Sequence, residues 1–248
     1  MNEVKVLDHG SVILRNLAGP TRRIEQSSKW GTPMGYRPFD ADDTDVANAA
    51  RISFEGQDEE RTYDQEIKLA RYLLKNGHTS PWEMISVWIE VRVPIFVDRQ
   101  MVRHRTWRRN ESSARYIVLP EQWYIPEVVG GKAPNKKQGQ EDNLPQDIQA
   151  EFKHRLNVAC ARDYSEYKRA LDNGVAPEHA RMFLHLNHYV HWLGNVDLSN
   201  LFKFLGLRVH EHAQIEAQKY GRAIIELLDP HLPGLMQIYR EVIQGEKA

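Results

Sequence analysis

The stretch ISVWIEVRV, residues 85–93, constrains the fold of this 248-residue chain more than any other segment. Apolar side chains occupy every second position: Ile85, Val87, Ile89, Val91 and Val93. This alternation is typical of a β-strand that packs one face against a core. Because Pro94 follows at once and lacks a backbone donor, the strand is predicted to end there. The chain must therefore contain a sheet with one buried face.

Helix signals precede this strand. Thr62 is a suitable N-cap for a helix through DQEIKLARYLLKNG, which is predicted to stop at Gly77. A second helix start is predicted in HTSPWEM, with Ser80 as N-cap, Pro81 at the first helical position and Glu83 completing a capping box.

Further helices are predicted after the strand. The spacing in PIFVDRQMVRHR predicts a helix that carries Gln100, Arg103 and His104 on neighbouring turns. Three more helical segments are predicted, at Ile148–Asn173 with a stop at Gly174, from Pro177 to about Trp192, and from Ser199 to about Leu228.

The segment Gly130–Gln146 is rich in Gly, Pro, Asn, Gln and charge, and it is predicted to be a surface loop or insertion. No internal repeat or domain boundary is evident. The expected fold class is α+β, with one helix-rich domain over residues 1–248 around a modest, mainly antiparallel sheet.

Composition excludes several function classes. With 33 Lys and Arg against 34 Asp and Glu, the chain lacks the broad positive surface of a protein that coats nucleic acid. No apolar run approaches the roughly 20 residues of a membrane span, and MNEVKVLDHG is not a signal peptide, so a cytoplasmic location is expected. Cys160 is the single cysteine, which excludes an internal disulfide and a multi-cysteine zinc site.

Cationic side chains are concentrated in RHRTWRRNESSARY, residues 103–116, which holds five arginines in fourteen residues. Arginine is a rigid fork of donors that suits phosphate and carboxylate, so the segment could hold an anionic ligand such as a nucleotide. The alternative is a surface helix end with solvated arginines. The following Asn110, Glu111, Ser112 and Ser113 favour a ligand site, because short hydrogen-bonding side chains suit a turn that grips a base or sugar.

Four other residues are weaker candidates, each with an ordinary structural alternative. His78, just past a helix stop, could be a plain loop residue, and Arg181 could lie at the edge of an apolar helix stripe. Arg208 and His212 are four residues apart, so on one helix they would share a face and could flank a planar ring, or they could simply be exposed.

Histidine and cysteine chemistry is not favoured elsewhere. His185, His188 and His191 would turn about 60° from one another on a helix, and no acidic ligand stands at a familiar metal spacing, so no metal site is predicted. Cys160 lies in a helical pattern without a partner that would activate it, and it is predicted to be a packing residue.

Four motifs in order resemble the flavin-dependent thymidylate synthases. They are Arg103-His104-Arg105 followed by seven residues and Ser113, the upstream HTSPWEM, the strand-to-helix segment PIFVDRQMVRHR, and LRVHEHAQIEAQ. The resemblance spans about Ala50 to Ile225 and implies the fold of that family.

The resemblance also implies site residues. The positions that match dUMP contacts are Gln100, Arg103, Glu111, Ser113, Arg115, Arg181 and Arg208. The positions that match the FAD region are His78, Ser80, Arg103, His104, Arg105, Glu111, Asp197, Lys203 and His212. Arg208 matches the catalytic arginine that faces the uracil and favours its ionised N3 form. Near the FAD adenosine the chain departs from the family's Asn-x-Arg and later Asn, since it carries Asp197, Leu198, Ser199 and Lys203.

The implied reaction is reductive methylation of dUMP to dTMP. It takes its carbon from 5,10-methylenetetrahydrofolate and its hydride from FAD reduced by NADPH, without a cysteine nucleophile. The resemblance further implies a homotetramer with active sites shared between subunits, and no nucleic-acid or membrane partner.

Two alternatives to this enzyme are considered. An arginine-rich nucleic-acid-binding module could stack bases on Trp107 and Tyr116. A protein that keeps the family fold without its activity would also fit the departures near the adenosine.

Overall fold

The structure is a computed structural model that describes residues 2–19, 41–53, 61–132 and 140–245. Within them, five antiparallel strands form one sheet in the order β1-β2-β3-β7-β4. The strands are β1 Glu3–Val6, β2 Gly10–Ala18, β3 Ser86–Pro94, β4 Arg108–Glu111 and β7 Tyr189–Asp197. Two short strands, β5 Gly130–Lys132 and β6 Gln140–Asn143, pair separately.

Eight α-helices are described: α1 Asp45–Arg51, α2 Tyr63–Lys75, α3 Ile95–Met101, α4 Gln146–Asp172, α5 Pro177–Ala180, α6 Leu198–Arg208, α7 Ile215–Leu228 and α8 Pro233–Tyr239. Short 3₁₀ turns occur at Trp82–Met84 and Arg181–Phe183, and a π-helical turn follows α8 at Arg240–Gln244. The predicted α+β class, helix-rich around an antiparallel sheet, is confirmed.

Strand β3 lies at the centre of the sheet, as its alternation predicts. Its apolar positions, with Ile85 just before it, are at most 1% exposed, and it pairs with β2 on one side and β7 on the other. Helix α6 places Leu201, Phe202 and Leu205 in the same core, and α7 adds Ala217, Ile224 and Leu228. Burying these side chains at roughly 25 cal/mol per Å² of apolar surface stabilises the sheet-on-helix arrangement.

The predicted start of α2 at Thr62 and the predicted helix stops at Gly77 and Gly174 are confirmed. Thr62 and Gln65 form a capping box for α2, and Gly77 ends that region with φ +72°. Helix α4 ends as predicted before Gly174, which has φ +80°. The positive φ explains both stops, because only glycine adopts it without strain.

The predicted helix start at Ser80 is wrong. Only a 3₁₀ turn forms, Trp82–Met84, and Ser80 makes no capping bond. Glu83 Oε1 instead accepts a hydrogen bond at 2.9 Å from the side chain of Thr79, the residue before Ser80. The chain leaves this turn directly into β3.

The predicted helix from Pro177 to Trp192 is also wrong. Helix α5 stops at Ala180, and residues from Tyr189 enter β7, where Tyr189, Trp192 and Val196 are at most 2% exposed. Pairing along the whole length of β3 outweighs the local helical spacing, and aromatic and β-branched residues fit a pleated surface.

The long helix predicted from Ser199 to Leu228 is two helices. Helix α6 ends at Arg208, and α7 begins at Ile215. The two pack closely where Gly221 of α7 meets Val209, since a Cβ on Gly221 would lie 2.7 Å from Val209 Cγ1. Arg208 and His212 therefore do not share one helix face, contrary to the prediction.

Helix α3 is shorter than predicted. It ends at Met101, so Gln100 is helical but Arg103 and His104 lie in the turns that follow. The hairpin of β5 and β6 lies within the predicted surface segment 130–146, of which residues 133–139 are outside the described residues. Across the described ranges, no helix is both long and apolar enough to cross a membrane.

Candidate active site

The arginine-rich segment forms the edge of the sheet. Residues 108–111 make β4, which sequence reasoning missed, and it pairs antiparallel with β7 so that Arg109 lies opposite Gly194 and Glu111 opposite Trp192. Because side chains two positions apart share one face of a strand, Arg109 and Glu111 point to the same side. That side faces helix α3.

Arg109 joins α3 to the sheet. Its Nη2 donates to Asp98 Oδ1 at 2.7 Å, and its guanidinium carbon lies 4.1 Å from the ring centroid of Trp192. Trp192 Nε1 donates to the same Asp98 oxygen at 2.9 Å. The Asp98 carboxylate, 8% exposed, is thus neutralised by a cation and a ring N–H, as a buried charge requires.

A cavity of about 580 Å³ opens beside this network, between α3, β4 and the 181–190 segment. Its size is in the range of pockets that take a nucleotide-sized ligand. It contains three of the residues predicted to hold dUMP, namely Glu111, Ser113 and Arg181, together with Asp98 and Arg99.

Glu111 has an unusual environment. Burial is the largest cause that raises the pKa of its carboxyl group, and Asp98 raises it further, while Arg109 and Arg99 lower it. Arg109 Nη2 lies 3.4 Å from Glu111 Oε2. The result is a carboxyl group on the cavity wall that is held between two cations and one anion.

The other predicted dUMP residues are not among the residues that line this cavity: Gln100, Arg103, Arg115 and Arg208. Gln100 donates through its side chain to Gln214, and Arg115 Nε donates to Glu178 at 3.2 Å. Arg103 is exposed in the turn after α3.

Arg208, the predicted catalytic residue, is the last residue of α6 and is half-buried. Its Nε donates to His104 Nε2 at 3.2 Å, and the His104 ring packs edge-on against Phe204 at 4.8 Å. Burial, followed by the charge of Arg208, lowers the pKa of His104 below its usual value, so the ring stays neutral and can accept this bond. The contact fixes the guanidinium at the end of the helix.

The residues predicted to contact FAD lie at both ends of α6. Asp197 caps the N-terminal end, the loop with His78 and Ser80 leads into the 3₁₀ turn that packs against α6, and Lys203 is exposed on the helix. His104, Arg105 and His212 belong to the segments around the C-terminal end. At 1.5 Å per residue the two ends of α6 are about 16 Å apart. A single ligand that contacted residues at both ends would therefore have to be extended along the helix.

The available donors fit a flavin dinucleotide in part. Arg103 and Arg105 are exposed cations, which suits a diphosphate. The Asp197 carboxylate is already bound, because its two oxygens accept from Asn200 N at 2.8 Å and Asn200 Nδ2 at 2.7 Å. Its position near a cofactor stays a prediction, but its role in capping α6 is evident.

Four residues of the site were not singled out from sequence: Asp98, Arg99, Arg109 and Trp192. The signal in retrospect is the alternation of Arg109 and Glu111, which places two charges on one face of a strand. Their partners come from α3 and β7, and only the folded sheet brings these together.

Other sequence candidates are packed away. Trp107, proposed to stack bases, is half-buried against Trp192 at 5.6 Å and Phe204 at 5.3 Å, whereas Tyr116 is 82% exposed. The three histidines considered for a metal do not share a helix. His185 is hydrogen-bonded to Asp163, and His188 is 2% exposed. His191, in β7, is hydrogen-bonded to Glu90 of β3. No group of three His, Cys, Asp or Glu residues arranged for a metal occurs within the described ranges.

Cys160 is a buried packing residue of α4, as predicted. It is 3% exposed and lies 3.5 Å from the Asn187 amide, and burial raises the pKa of its thiol. A raised pKa disfavours the thiolate that nucleophilic attack requires.

Comparisons with known proteins identify the family of the chain. The Thy1 family, described as thymidylate synthase complementing protein, matches residues 37–234. A flavin-dependent thymidylate synthase of Treponema denticola is 36% identical over 229 residues, which are 91% of this chain and 77% of that protein. One from Thermus thermophilus is 40% identical over 193 residues, 77% of this chain and 69% of that protein.

A solved structure shares the fold. The UMP/dUMP methylase PolB from Streptomyces cacaoi, crystallised with 5-Br dUMP, has a TM-score of 0.78 at 25% sequence identity, covering 97% of this chain and 99% of that one. Family, relatives and fold agree with the four sequence motifs. The chain belongs to the flavin-dependent thymidylate synthases, a family of methyltransferase enzymes.

Proposed function

We propose that this protein methylates dUMP to dTMP, with 5,10-methylenetetrahydrofolate as carbon donor and NADPH as reductant of a bound FAD. The observation that carries the proposal is the 580 Å³ cavity, which brings Glu111, Ser113 and Arg181 together from separate parts of the chain. All three match positions that hold dUMP in the family, and the Streptomyces relative is named for a bound dUMP analogue.

In this proposal the cavity residues hold and orient the nucleotide. Arg181 and Ser113 supply donors for anionic and hydroxyl oxygens, and Glu111 accepts from sugar or base N–H and O–H groups. Since a positioned substrate reacts as if at very high local concentration, such binding contributes to rate as well as affinity.

Arg208 carries the chemical activation. Methylation at C5 requires extra electron density on the uracil ring, and a guanidinium beside the ring stabilises the ionised N3 form electrostatically. His104 holds that guanidinium through its Nε, which leaves the terminal nitrogens for the substrate. The flavin supplies the hydride when bound, and the protein's part is to bind, orient and polarise.

No protein thiolate is needed in this mechanism. Cys160 is buried in α4 and lines a small void with Trp123, Tyr164 and His188, not the substrate cavity. The proposed activation is therefore electrostatic.

Assembly and location complete the proposal. A homotetramer with shared active sites would cover the predicted FAD residues that are exposed in one chain, including His78, Ser80 and His212. Small molecules are the proposed partners, with neither nucleic acid nor membrane. The cytoplasmic location expected from sequence stays a prediction.

The test is an absorbance spectrum of the purified protein with and without dUMP, followed by turnover with NADPH and methylenetetrahydrofolate. Bound flavin whose spectrum responds to dUMP, and dTMP that forms only when every co-substrate is present, are expected. UMP should be assayed beside dUMP, since the Streptomyces relative is named for both. Absence of flavin would favour the nucleic-acid-binding alternative, and a bound flavin without turnover would favour a fold that has lost its activity.

A further inference from the structure

Glu111 lies on the wall of the 580 Å³ cavity, and its side chain is 44% exposed. A glutamate with this exposure can adopt several rotamers unless a neighbour holds it. The neighbour here is Arg109, which shares one face of β4 with Glu111 and has its Nη2 3.4 Å from Glu111 Oε2.

Arg109 is itself fixed by two other elements. Its Nη2 donates to Asp98 Oδ1 of α3 at 2.7 Å, and its guanidinium carbon lies 4.1 Å from the ring centroid of Trp192 in β7. Its side chain is 13% exposed. The two hydrogens of Nη2 allow this nitrogen to reach both the Asp98 and the Glu111 carboxylates. Arg109 is therefore a fixed point against which the Glu111 carboxylate can be oriented.

The surroundings of Glu111 have opposing effects on its charge. Burial is the largest cause that raises the pKa of its carboxyl group, and Asp98 raises it further. Arg109 and, to a smaller extent, Arg99 lower that pKa, and Arg181 lines the same cavity. Because Asp98 and Glu111 bind the same nitrogen of Arg109, the two carboxylates compete for one cation.

We propose that Arg109 is a positioning residue that holds the Glu111 carboxylate, oriented and ionised, as the acceptor for hydrogen bonds from the nucleotide, and that Asp98 limits this effect by sharing the guanidinium. The inference rests on the proposed function, because it takes Glu111 to bind dUMP. Arg109 acts through Glu111 and not on the substrate. The alternative is a salt bridge that only joins α3 to the sheet.

The experiment measures the dissociation constant of dUMP for the flavin-loaded protein by titration calorimetry from about pH 5.5, below the second pKa of a phosphate near 6, to about pH 8. Wild type is compared with Arg109→Gln, Arg109→Lys and Asp98→Asn. At the upper end of this range Arg109→Gln should bind dUMP about 3- to 10-fold more weakly, since Glu111 loses the hydrogen bond that orients it.

The two substitutions of the ion pair should shift the pH dependence in opposite directions. Removing the Arg109 cation raises the pKa of Glu111, so Arg109→Gln should lose dUMP affinity at a higher pH than wild type does. Removing the Asp98 anion lowers that pKa, so Asp98→Asn should keep its affinity to a lower pH. Arg109→Lys should show the wild-type pH dependence and recover part of the affinity, because it keeps the charge but not the planar fork.

Two controls assign these shifts to Glu111. The phosphate of dUMP titrates in the same range, so both substitutions are repeated together with Glu111→Gln, which cannot ionise. In that background neither substitution should move the pH dependence. Arg155→Gln, which removes an exposed ion pair on α4, should bind dUMP as wild type does at every pH.

A salt bridge that only stabilises the fold would weaken binding in Arg109→Gln and Asp98→Asn alike and shift the pH dependence of neither, and this result would overturn the proposal. Shifts that persist in the Glu111→Gln background would overturn it as well. If Arg109→Gln does not fold, Asp98→Asn decides, since an unmoved or upward shift in that variant contradicts the proposal. Wild-type protein that binds no dUMP would refute the proposed function, whereas wild type that binds dUMP beside variants without opposite shifts would refute only the role of Arg109.

Discussion

At the residue scale, Arg208 is the side chain on which the proposed chemistry depends. Its guanidinium is half-buried and held by His104 at 3.2 Å, so it is already oriented before substrate binds. If it stabilises charge that develops on the uracil, its contribution grows along the reaction and its loss falls on kcat more than on binding.

We therefore expect Arg208→Ala to slow flavin oxidation by about 10²- to 10³-fold in a single turnover with pre-reduced flavin and saturating dUMP and folate. Arg208→Lys should recover part of that loss, because lysine keeps the charge without the fork. If Arg208→Ala bound dUMP and oxidised flavin at the wild-type rate, another residue would be the activator.

Cys160 offers the complementary test. It is buried beside Asn187, and its thiol pKa is raised by burial. Cys160→Ala is expected to keep dTMP formation within about threefold of wild type and to lower stability by about 1–2 kcal/mol through the small cavity it leaves. Complete loss of turnover in a folded, flavin-loaded variant would contradict a mechanism without a protein thiolate.

At the element scale, the close approach of Trp107 to β7 depends on Gly194. A Cβ there would lie 2.7 Å from a ring carbon of Trp192 and 3.0 Å from one of Trp107, and neither packed ring can move freely. Since Trp107 also packs on Phe204, which contacts His104, displacing it would disturb the segment that holds Arg208.

Gly194→Ala should therefore destabilise the protein by about 1–3 kcal/mol in denaturant unfolding, change tryptophan fluorescence and reduce activity. Gly206→Ala on α6 is the matched control. Its added Cβ meets only Ile243, which is 38% exposed and can shift, and alanine favours a helix. Equal effects of the two substitutions would mean that the Trp107 contact is unimportant.

Elements with strong local signals were predictable from sequence, and those fixed by distant pairing were not. The alternation of β3, the capping box at Thr62 and the stops at Gly77 and Gly174 act within a few residues. Strand β4 is polar and exists because it pairs with β7, so periodicity gave no sign of it.

The same distinction holds for the site. Glu111, Ser113 and Arg181 were identified through motif resemblance, and the structure places them around one cavity. The bond between Asp98 and Arg109 spans α3 and the sheet edge, and no spacing rule predicts a contact of that kind. The break between α6 and α7 lacks glycine and proline, so the sequence pattern predicts one continuous helix there.

At the scale of the whole molecule, three exposed large apolar side chains stand one or two positions in sequence from residues that line the cavity. Tyr116 is 82% exposed, Met182 75% and Leu186 67%. Large apolar side chains left exposed on a single chain are common at interfaces between proteins. Their exposure supports the proposed homotetramer, in which neighbouring subunits would cover them.

Leu186→Asp should consequently reduce the mass measured by light scattering below that of the wild-type assembly and lower turnover in parallel, because a desolvated charge opposes association. Val158→Asp puts the same charge on an exposed α4 residue that does not line the cavity, and it should leave both unchanged. A fully active monomer would contradict shared active sites.

Stability against pH tests the packing of the molecule as a whole through His188. This ring is 2% exposed, its Nε2 has no partner among the described residues, and burial followed by the charge of Arg92 lowers its pKa to about 4. The unfolded chain protonates the same ring near 6.5, so below that pH the unfolded state binds the extra proton and the folded state does not. The protein has its full stability with respect to this group above about pH 6.5. As pH falls from 6.5 toward 4 the free energy of unfolding decreases, and the loss is about 2 kcal/mol at pH 5.

His188→Phe removes the titrating group and keeps a ring beside Tyr164, so its free energy of unfolding should fall less steeply between pH 7 and pH 5 than that of wild type. His154→Gln, at an exposed position of α4, should keep the wild-type slope. Identical slopes for His188→Phe and wild type in urea titrations at both pH values would show that His188 is not held neutral by the fold.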